Sequence, residues 1–197
     1  MTQPINSPDN PGRFSKAVQY KGVTTMLSEK LTSTLSDQVN AEYYSAYLYL
    51  SMSAAANKIG LKGAANWLFV QAQEEMAHGT HIYQYIIERD SVPSFAAIEQ
   101  PPASFANINE IFETTLVHEQ KVTGLINAIA TLAMQESDHA CYQFMMWYVN
   151  EQVEEESNAR DILDRLSLIG DNKGLLLTLD NELAARVFVN PFPANAN

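Results

Sequence analysis

Glu75 and His78 lie three residues apart in the segment Gln73-Glu-Glu-Met-Ala-His78, inside a long stretch with helical periodicity. On a helix these two side chains share one face. The same face is otherwise apolar or small, because Leu68 and Ile82 fall on it at helical spacing. A carboxylate and an imidazole are therefore aimed at a core, where an unpaired charge costs several kcal/mol. A bound metal ion would offset that cost, so the segment predicts a metal site.

Three further apolar seams along the chain turn polar near their middle. The polar residues on these seams are Glu42, Glu119, Gln152 and Glu155. Di-metal sites in helical bundles take one Glu from each of two helices and a Glu-x-x-His pair from each of the other two. This chain supplies both single glutamates and one such pair, but its fourth seam offers Gln152-x-x-Glu155 instead. Carboxylates and imidazole suit iron, manganese or zinc, and the missing imidazole predicts that the second metal binds less tightly.

The composition limits the classes of protein to which the chain can belong. Its 197 residues are 46% hydrophobic and carry a formal net charge of −11. That charge argues against nucleic acid and anionic membranes as partners and suits a protein that attracts cations. No apolar run approaches the length of a transmembrane helix. The single cysteine, Cys141, excludes a disulfide framework within one chain and a Cys-x-x-Cys metal knuckle.

Helical periodicity predicts an all-α protein with four long helices and a short fifth one. The predicted helices run from about Ser28 to Lys58, Leu61 to Arg89, Asn107 to Glu136, Asp138 to Ile169 and Leu175 to Ala185. The tight turn at 58–62 makes the first two helices antiparallel neighbours, whereas the proline-containing stretch 90–107 is long enough to cross a bundle. Together these features predict a four-helix bundle with one long crossover between helices 2 and 3.

Both ends of the chain lack helical periodicity. Residues 1–24 contain three prolines and no apolar region of a secretory signal, so they are predicted to form a flexible arm before a domain at 25–187. A faint resemblance of the arm to a transit peptide leaves organelle targeting open beside the expected cytoplasmic location. Residues 188–197 are predicted to form a flexible tail.

Four motifs carry a resemblance to a known family. They are Asn40-Ala-Glu42-Tyr43-Tyr44, Gln73-Glu-Glu-Met-Ala-His78, His118-Glu119-Gln120 and Trp147-Tyr-Val-Asn-Glu-Gln-Val-Glu-Glu-Glu156. From about Leu27 to Arg186 the chain resembles the bacterial non-haem ferritins, whose fold is a ferritin-like four-helix bundle with a short fifth helix. That resemblance implies a ferroxidase that oxidises Fe(II) with dioxygen or peroxide. It also implies storage of a ferric mineral inside a hollow shell of 24 identical subunits.

The resemblance implies roles for individual residues as well. The implied ligands of two irons are Glu42, Glu75, His78, Glu119, Gln152 and Glu155. Either Glu75 or Glu119 would bridge the two irons. The implied ligands of a third, nearby iron are Glu74, Glu151 and Glu154. Tyr49, on the same seam as Glu42, matches the tyrosine thought to give an electron during oxidation.

Other interpretations of the same residues stay open. Met76 stands where the haem-binding bacterioferritins carry their haem ligand, but the Gln152-x-x-Glu155 pair favours the non-haem branch and no haem is expected. A rubrerythrin would need a cysteine-ligated iron domain, which one cysteine cannot build. A di-iron oxidase on the same bundle and an acidic bundle without a metal remain as alternatives. His81, His118 and His139 fall off the seams and are predicted to be surface histidines.

Overall fold

A computed structural model describes residues 26–192, and within this range the chain forms five α-helices and no strand. The helices are α1 (Glu29–Lys58), α2 (Lys62–Glu88), α3 (Ile108–Gln135), α4 (His139–Ile169) and α5 (Lys173–Leu183). Their bounds lie within two residues of the predicted ones, so the all-α prediction is confirmed. The predicted arm at 1–24 lies outside the described residues. None of the described helices has both the length and the apolar character that a membrane span needs.

Short polar side chains fix where four of the helices begin. The capping residues are Ser28, Asn107, Asp138 and Asn172. In each case a side-chain oxygen accepts a hydrogen bond from a backbone N–H in the first turn, which contributes about 1 kcal/mol. The chain leaves α1 and α4 through Gly60 and Gly170, whose φ angles are 91° and 53°. Glycine adopts such angles without the steric cost that a Cβ would bring.

The connection between α2 and α3 runs beside α1. The amide of Ser94 donates to Oγ of Ser36 near the start of α1 (3.2 Å), and Oγ of Ser51 near its end donates to the carbonyl oxygen of Pro102 (2.5 Å). The connection therefore travels along much of α1 before α3 begins. As a result α2 and α3 run parallel, whereas short turns make α1–α2 and α3–α4 antiparallel pairs. This is the predicted bundle with one long crossover.

Two apolar clusters fill the bundle, one on each side of a polar layer. The first includes Tyr49, Met52, Leu68, Phe112 and Leu166. The second includes Leu31, Leu35, Ile82, Ile126 and Met145. Each buried apolar side chain of this size contributes about 1.5–3 kcal/mol relative to exposure. The two clusters therefore stabilise a bundle whose central level is occupied by ionisable groups.

The short helix α5 folds back onto the first turn of α2. Oδ1 of Asp180 accepts a hydrogen bond from the amide of Ala64 (2.8 Å). The two helices approach most closely at Gly63, where a Cβ would lie 1.6 Å from the carbonyl oxygen of Asp180. That distance is far below any non-bonded contact, so the docked position of α5 requires glycine at this site.

The chain after α5, residues 184–192, lies along α2 and is called the C-terminal strap below. Nδ2 of Asn66 donates hydrogen bonds to two of its carbonyl oxygens (2.8 and 3.3 Å). Further on, the ring of Phe192 packs against side chains of α2 and α4. One residue of the predicted flexible tail at 188–197, Phe192, thus rests on the bundle through its aromatic ring. Residues 193–197 lie outside the described part of the chain.

Candidate metal centre

The polar layer contains three potential ligands that belong to α1 and α2. Ligand atoms of Glu42, Glu75 and His78 all lie within 4.8 Å of one another, and the three side chains are buried. Among the described residues, this is the one group of three or more acidic, histidine or cysteine side chains at such distances. On α2, Oε2 of Glu75 lies 3.4 Å from Nδ1 of His78. Such an arrangement can hold a divalent metal ion.

α3 and α4 add two carboxyl groups and an amide to the same layer. Nε2 of Gln152 donates a hydrogen bond to Oε2 of Glu119 (3.0 Å). Glu119 also accepts a hydrogen bond from the hydroxyl of Tyr49, whose ring is fully buried. Glu155 is buried as well, and the charge of Glu119 helps to raise its pKa. The structure therefore brings all six implied two-iron ligands into one buried layer.

Amide side chains hold two of the carboxyl groups in place. Nε2 of Gln38 donates to Oε1 of Glu42 (2.8 Å), and Nε2 of Gln71 donates to Oε2 of Glu155 (2.7 Å). Partners of this kind orient metal ligands, and their loss commonly weakens metal binding. Neither glutamine is predicted from the sequence to have a role at the site. Both interrupt apolar seams, so a search for buried amides near the ligands could have found them.

Burial gives the carboxyl groups of the layer unusual acid–base properties. The pKa of Glu42 and that of Glu75 are raised well above the ordinary value, first by burial and then by the charge of a neighbouring carboxylate. The same two causes raise the pKa of Glu155 to about 8. For Glu119 burial also raises the pKa, although two hydrogen bonds oppose it. A bound cation would favour the ionised form of all four groups.

Several buried polar atoms of the layer have no hydrogen-bond partner among the described residues. They are Oε2 of Glu42, Nε2 of His78 and Oε1 of Gln71. Buried polar atoms are nearly always paired. A free carboxylate oxygen beside a free imidazole nitrogen forms a donor set that iron, manganese and zinc accept. The side chains between α1 and α2 therefore fit a metal ion.

The residues implied as ligands of a third iron lie beside this layer on α2 and α4. Glu74 and Glu151 are half-buried, whereas Glu154 is exposed. Burial raises the pKa of Glu74 and that of Glu151. Glu74 forms an ion pair with Arg186 of the strap (2.6 Å). Within the described range these three carboxyl groups are not within 4.8 Å of one another, so the structure brings them near the layer without assembling a closed site.

The prediction that His118 is a surface histidine is wrong. Its side chain is buried, and its Nε2 lies 2.7 Å from Oγ of Ser45 on α1. The small side chain of Ser45 lets the imidazole enter the contact between α1 and α3, which helical spacing alone does not reveal. Burial lowers the pKa of His118 to about 4, so the ring is neutral near pH 7. His139 is exposed as predicted, whereas His81 is half-buried.

Relatives of known sequence place the chain in one family. A family model described as a ferritin-like domain matches residues 32–169. A bacterial non-haem ferritin of Staphylococcus aureus is 39% identical over 163 residues, which are 83% of this chain and 98% of that protein. A probable bacterial non-haem ferritin-like protein of Haemophilus influenzae is 42% identical over 159 residues, 80% of this chain and 96% of that protein.

Solved structures agree with this assignment. An open-pore ferritin from the hyperthermophilic archaeon Archaeoglobus fulgidus superposes with a TM-score of 0.81 and is 46% identical in sequence. The match covers 83% of this chain and 99% of that one. A closed form of the Archaeoglobus fulgidus ferritin, engineered by mutagenesis, gives the same values. With its helix order, its buried carboxylate layer and these relatives, the chain belongs to the ferritin family.

Proposed function

We propose that this protein stores iron and that its polar layer is a ferroxidase site, which oxidises Fe(II) to Fe(III) before the iron joins a ferric mineral. The observation that carries the proposal is the buried group Glu42, Glu75 and His78, in which two ligand atoms are unpaired. Iron is the substrate of this site. The two bacterial relatives, both named as non-haem ferritins or ferritin-like, support the same function.

The ligands divide into two halves around a shared carboxylate. We assign Glu42 and His78 to one iron, Glu119 and Glu155 to the other, and Glu75 to the position between them. The pKa of Glu75 responds to the charges of Glu119 and Glu155 and to a hydrogen bond with Glu42. One carboxyl group that interacts with both halves is the natural bridge.

The two halves differ in ligand strength. Gln152 stands where a symmetric di-iron site would have a second imidazole. Its amide nitrogen already donates to Glu119 (3.0 Å), so the side chain positions that carboxylate and offers a weak oxygen ligand at most. The second iron is therefore held less tightly. A site that releases one iron readily suits a protein that passes iron on to storage.

Two neighbouring Fe(II) ions can release two electrons together. Two electrons and two protons reduce dioxygen to hydrogen peroxide, or hydrogen peroxide to water. The carboxylates tolerate the higher charge of Fe(III), because hard anionic oxygen ligands stabilise highly charged ions. Gln38 and Gln71 keep two of these carboxyl groups oriented while the charge changes.

Tyr49 is proposed to give an electron to this site. Burial and the charge of Glu119 raise its pKa well above 10, so the phenol is protonated before oxidation. The electron would go to the dioxygen or peroxide that is reduced at the site, and the phenolic proton would move to Glu119, which the hydroxyl of Tyr49 contacts. We expect Tyr49→Phe to abolish a tyrosyl radical signal in freeze-quenched samples. We also expect it to slow Fe(II) oxidation about tenfold without changing the number of irons bound.

Tyr148 provides a matched control for this experiment. It is equally buried, but its hydroxyl donates to the carbonyl oxygen of His78 (3.1 Å) rather than to a carboxylate. Tyr148→Phe should keep both the radical signal and the oxidation rate. If the two variants behaved identically, Tyr49 would not be the electron donor.

A third iron is proposed to bind transiently at Glu74, Glu151 and Glu154 after it leaves the paired site. The charge of Glu151 contributes to the raised pKa of Glu74, and the charge of Glu154 contributes to that of Glu151. Carboxyl groups that raise one another's pKa share a region of negative potential that attracts cations.

The chain is proposed to assemble into a hollow shell of identical subunits, with 24 as the expected number. Large apolar side chains are exposed along α1 and α2. They include Tyr47, Leu50, Phe69, Met76 and Tyr83. Exposed apolar side chains grouped on two neighbouring helices are typical of a protein interface. The net charge of −11 would raise the local concentration of Fe(II) near the shell.

Aerobic addition of Fe(II) to the purified apo-protein tests the proposal. Ferric absorbance and particle mass are followed together, with His78→Ala in parallel. We expect rapid oxidation, many irons per chain in a large particle, and loss of the fast phase in the variant. Oxidation that stopped near two irons per chain in a small particle would indicate a di-iron oxidase. No binding of iron by the wild-type protein would indicate a bundle without a metal function.

A further inference from the structure

The C-terminal strap crosses the face of the bundle between α2 and α4 and is fixed at two points. Arg186 lies at one point, where its guanidinium stacks 4.5 Å from the ring centroid of Trp67. Phe192 lies at the other, where its ring stacks on His81 with centroids 3.7 Å apart. On α2, Trp67 and His81 are separated by about 21 Å at 1.5 Å per residue. Six residues span at most about 21 Å of backbone, and the side chains of Arg186 and Phe192 add to that reach. The strap can therefore join its two fixed points even though it bends near its end, where the amide of Phe192 donates to Oδ1 of Asn190 (2.9 Å).

The first fixed point involves a residue that is implied as an iron ligand. Nη2 of Arg186 lies 2.6 Å from Oε2 of Glu74, and both side chains are largely shielded from solvent. The guanidinium therefore stands where a cation bound by Glu74 would lie. Its other terminal nitrogen, Nη1, is buried and has no hydrogen-bond partner among the described residues. The guanidinium of Arg186 is thus held by one carboxylate and one aromatic face, and it can leave Glu74 without breaking a larger network of side chains.

The second fixed point lies beside a ligand of the paired site. The ring of Phe192 contacts Trp147 on α4 (4.4 Å between centroids) and lies 6.1 Å from the imidazole of His78. His81, beneath Phe192, also reaches α4, because its Nδ1 lies 2.9 Å from the hydroxyl of Tyr148. Phe192 therefore closes the groove between α2 and α4 at the level of His78.

We propose that the C-terminal strap gates the third iron position, with Arg186 as the cation that iron must displace from Glu74. Glu74 lies on α2 at the first fixed point, where Arg186 contacts it. A metal ion that moves from the paired site towards Glu74 meets a carboxylate already neutralised by Arg186. Because Arg186 and Phe192 belong to one short segment, release of Arg186 from Glu74 also frees the segment that holds Phe192. The third position then fills only when the strap has moved. This inference rests on the proposed ferroxidase function.

Titration of the full-length apo-protein with Zn(II), a metal that is not oxidised, tests the gate without iron oxidation. Calorimetry should resolve two tighter sites per chain and a weaker third one. We expect Arg186→Gln to tighten the third site about tenfold, or ~1.4 kcal/mol, and to leave the first two unchanged. Arg186→Lys keeps the positive charge, so its third site should bind Zn(II) almost as weakly as the third site of the wild-type protein. Adding Glu74→Gln to Arg186→Gln should remove the third site.

Arg165→Gln is the matched control. Arg165 forms an ion pair of similar length with Glu182 (2.5 Å), but that pair is exposed and has no contact with the metal layer. This variant should bind three Zn(II) ions with wild-type affinities. Phe192→Ala should also tighten the third site, whereas Val187→Ala should not, because Val187 is an exposed strap residue.

Two failures can be distinguished. If two Zn(II) ions bind tightly and the third binds equally well to the wild-type protein and to Arg186→Gln, the gate is excluded and the ferroxidase proposal stands. If the wild-type protein does not bind the first two Zn(II) ions, the proposal of a paired site is wrong, and the proposal of a gate is then wrong as well.

Discussion

Glu75→Leu is expected to abolish binding of both metals of the paired site and, at the same time, to stabilise the metal-free protein. Glu75 is buried among Glu42, Glu119 and Glu155, and burial and the charges of Glu119 and Glu155 raise its pKa. Without a cation, this group contributes repulsion and a desolvation penalty. Removing a buried group that repels its neighbours and has lost its solvation should stabilise the metal-free protein, within the about 1–4 kcal/mol gained when buried ionic groups are replaced together by apolar residues.

The loss of metal binding follows from the shared position of Glu75. Losing a residue that only orients a ligand already lowers metal affinity about 10–100-fold, so removal of the carboxylate between both irons should cost more than about 100-fold. Zn(II) calorimetry measures this effect. Thermal unfolding of metal-free samples measures the gain in stability, at roughly 2–4 °C for each kcal/mol in a chain of this size.

Glu88→Ala is the matched control for this variant. Glu88 is the last residue of the same helix and is exposed, so its loss should alter neither metal binding nor stability appreciably. If Glu75→Leu destabilised the metal-free protein and kept Zn(II) affinity, Glu75 would be a structural residue held by hydrogen bonds. The predicted trade between stability and metal binding is typical of functional sites.

The helices and the paired site could be predicted from the sequence because both leave a local signal. An apolar seam with a period near 3.6 identifies each helix, and the short turn and the long connection fix the topology. A glutamate or histidine on such a seam stands out, since its burial needs compensation. Glu42, Glu75 and His78 are recognised in this way, and the structure brings their ligand atoms together.

Contacts between distant parts of the chain leave no comparable signal. Arg186 and Glu74 are 112 positions apart, and the strap has no periodicity that would mark a buried face. Its proline and asparagine residues favour a prediction of flexibility, although Phe192 finds an aromatic surface on α2 and α4. His118 was missed for a related reason, because its burial depends on the small Ser45 of another helix.

Gly63→Ala is expected to displace α5 from the bundle. A Cβ at this position would lie 1.6 Å from the carbonyl oxygen and 2.5 Å from the carbonyl carbon of Asp180. Backbone atoms cannot rotate away as a side chain can, so the cost should reach or exceed the upper end of the about 1–3 kcal/mol typical of overpacking. The hydrogen bond from Ala64 to Asp180 should be lost as well.

Amide hydrogen exchange in α5 measures the displacement, with Gly124→Ala as the matched control. A Cβ at Gly124, inside α3, would meet no atom within 4 Å, and alanine in a helix interior should stabilise by about 0.5–1 kcal/mol. Gly63→Ala should speed exchange across α5, whereas Gly124→Ala should leave α5 protected. If the amides of α5 stayed protected in Gly63→Ala, the contact between α2 and α5 could widen at little cost in free energy.

The same substitution also tests the strap. Asn66, next to the α5 docking site, holds the carbonyl oxygen of Arg186 (2.8 Å), and the strap follows directly from α5. Displacement of α5 should therefore carry Arg186 away from Glu74. Gly63→Ala is then expected to tighten the third Zn(II) site as Arg186→Gln does, although it leaves every charged residue in place. The outcome could also be that α5 of Gly63→Ala exchanges rapidly while the third Zn(II) site stays as weak as in the wild-type protein. In that case the strap would hold Arg186 on Glu74 without help from α5.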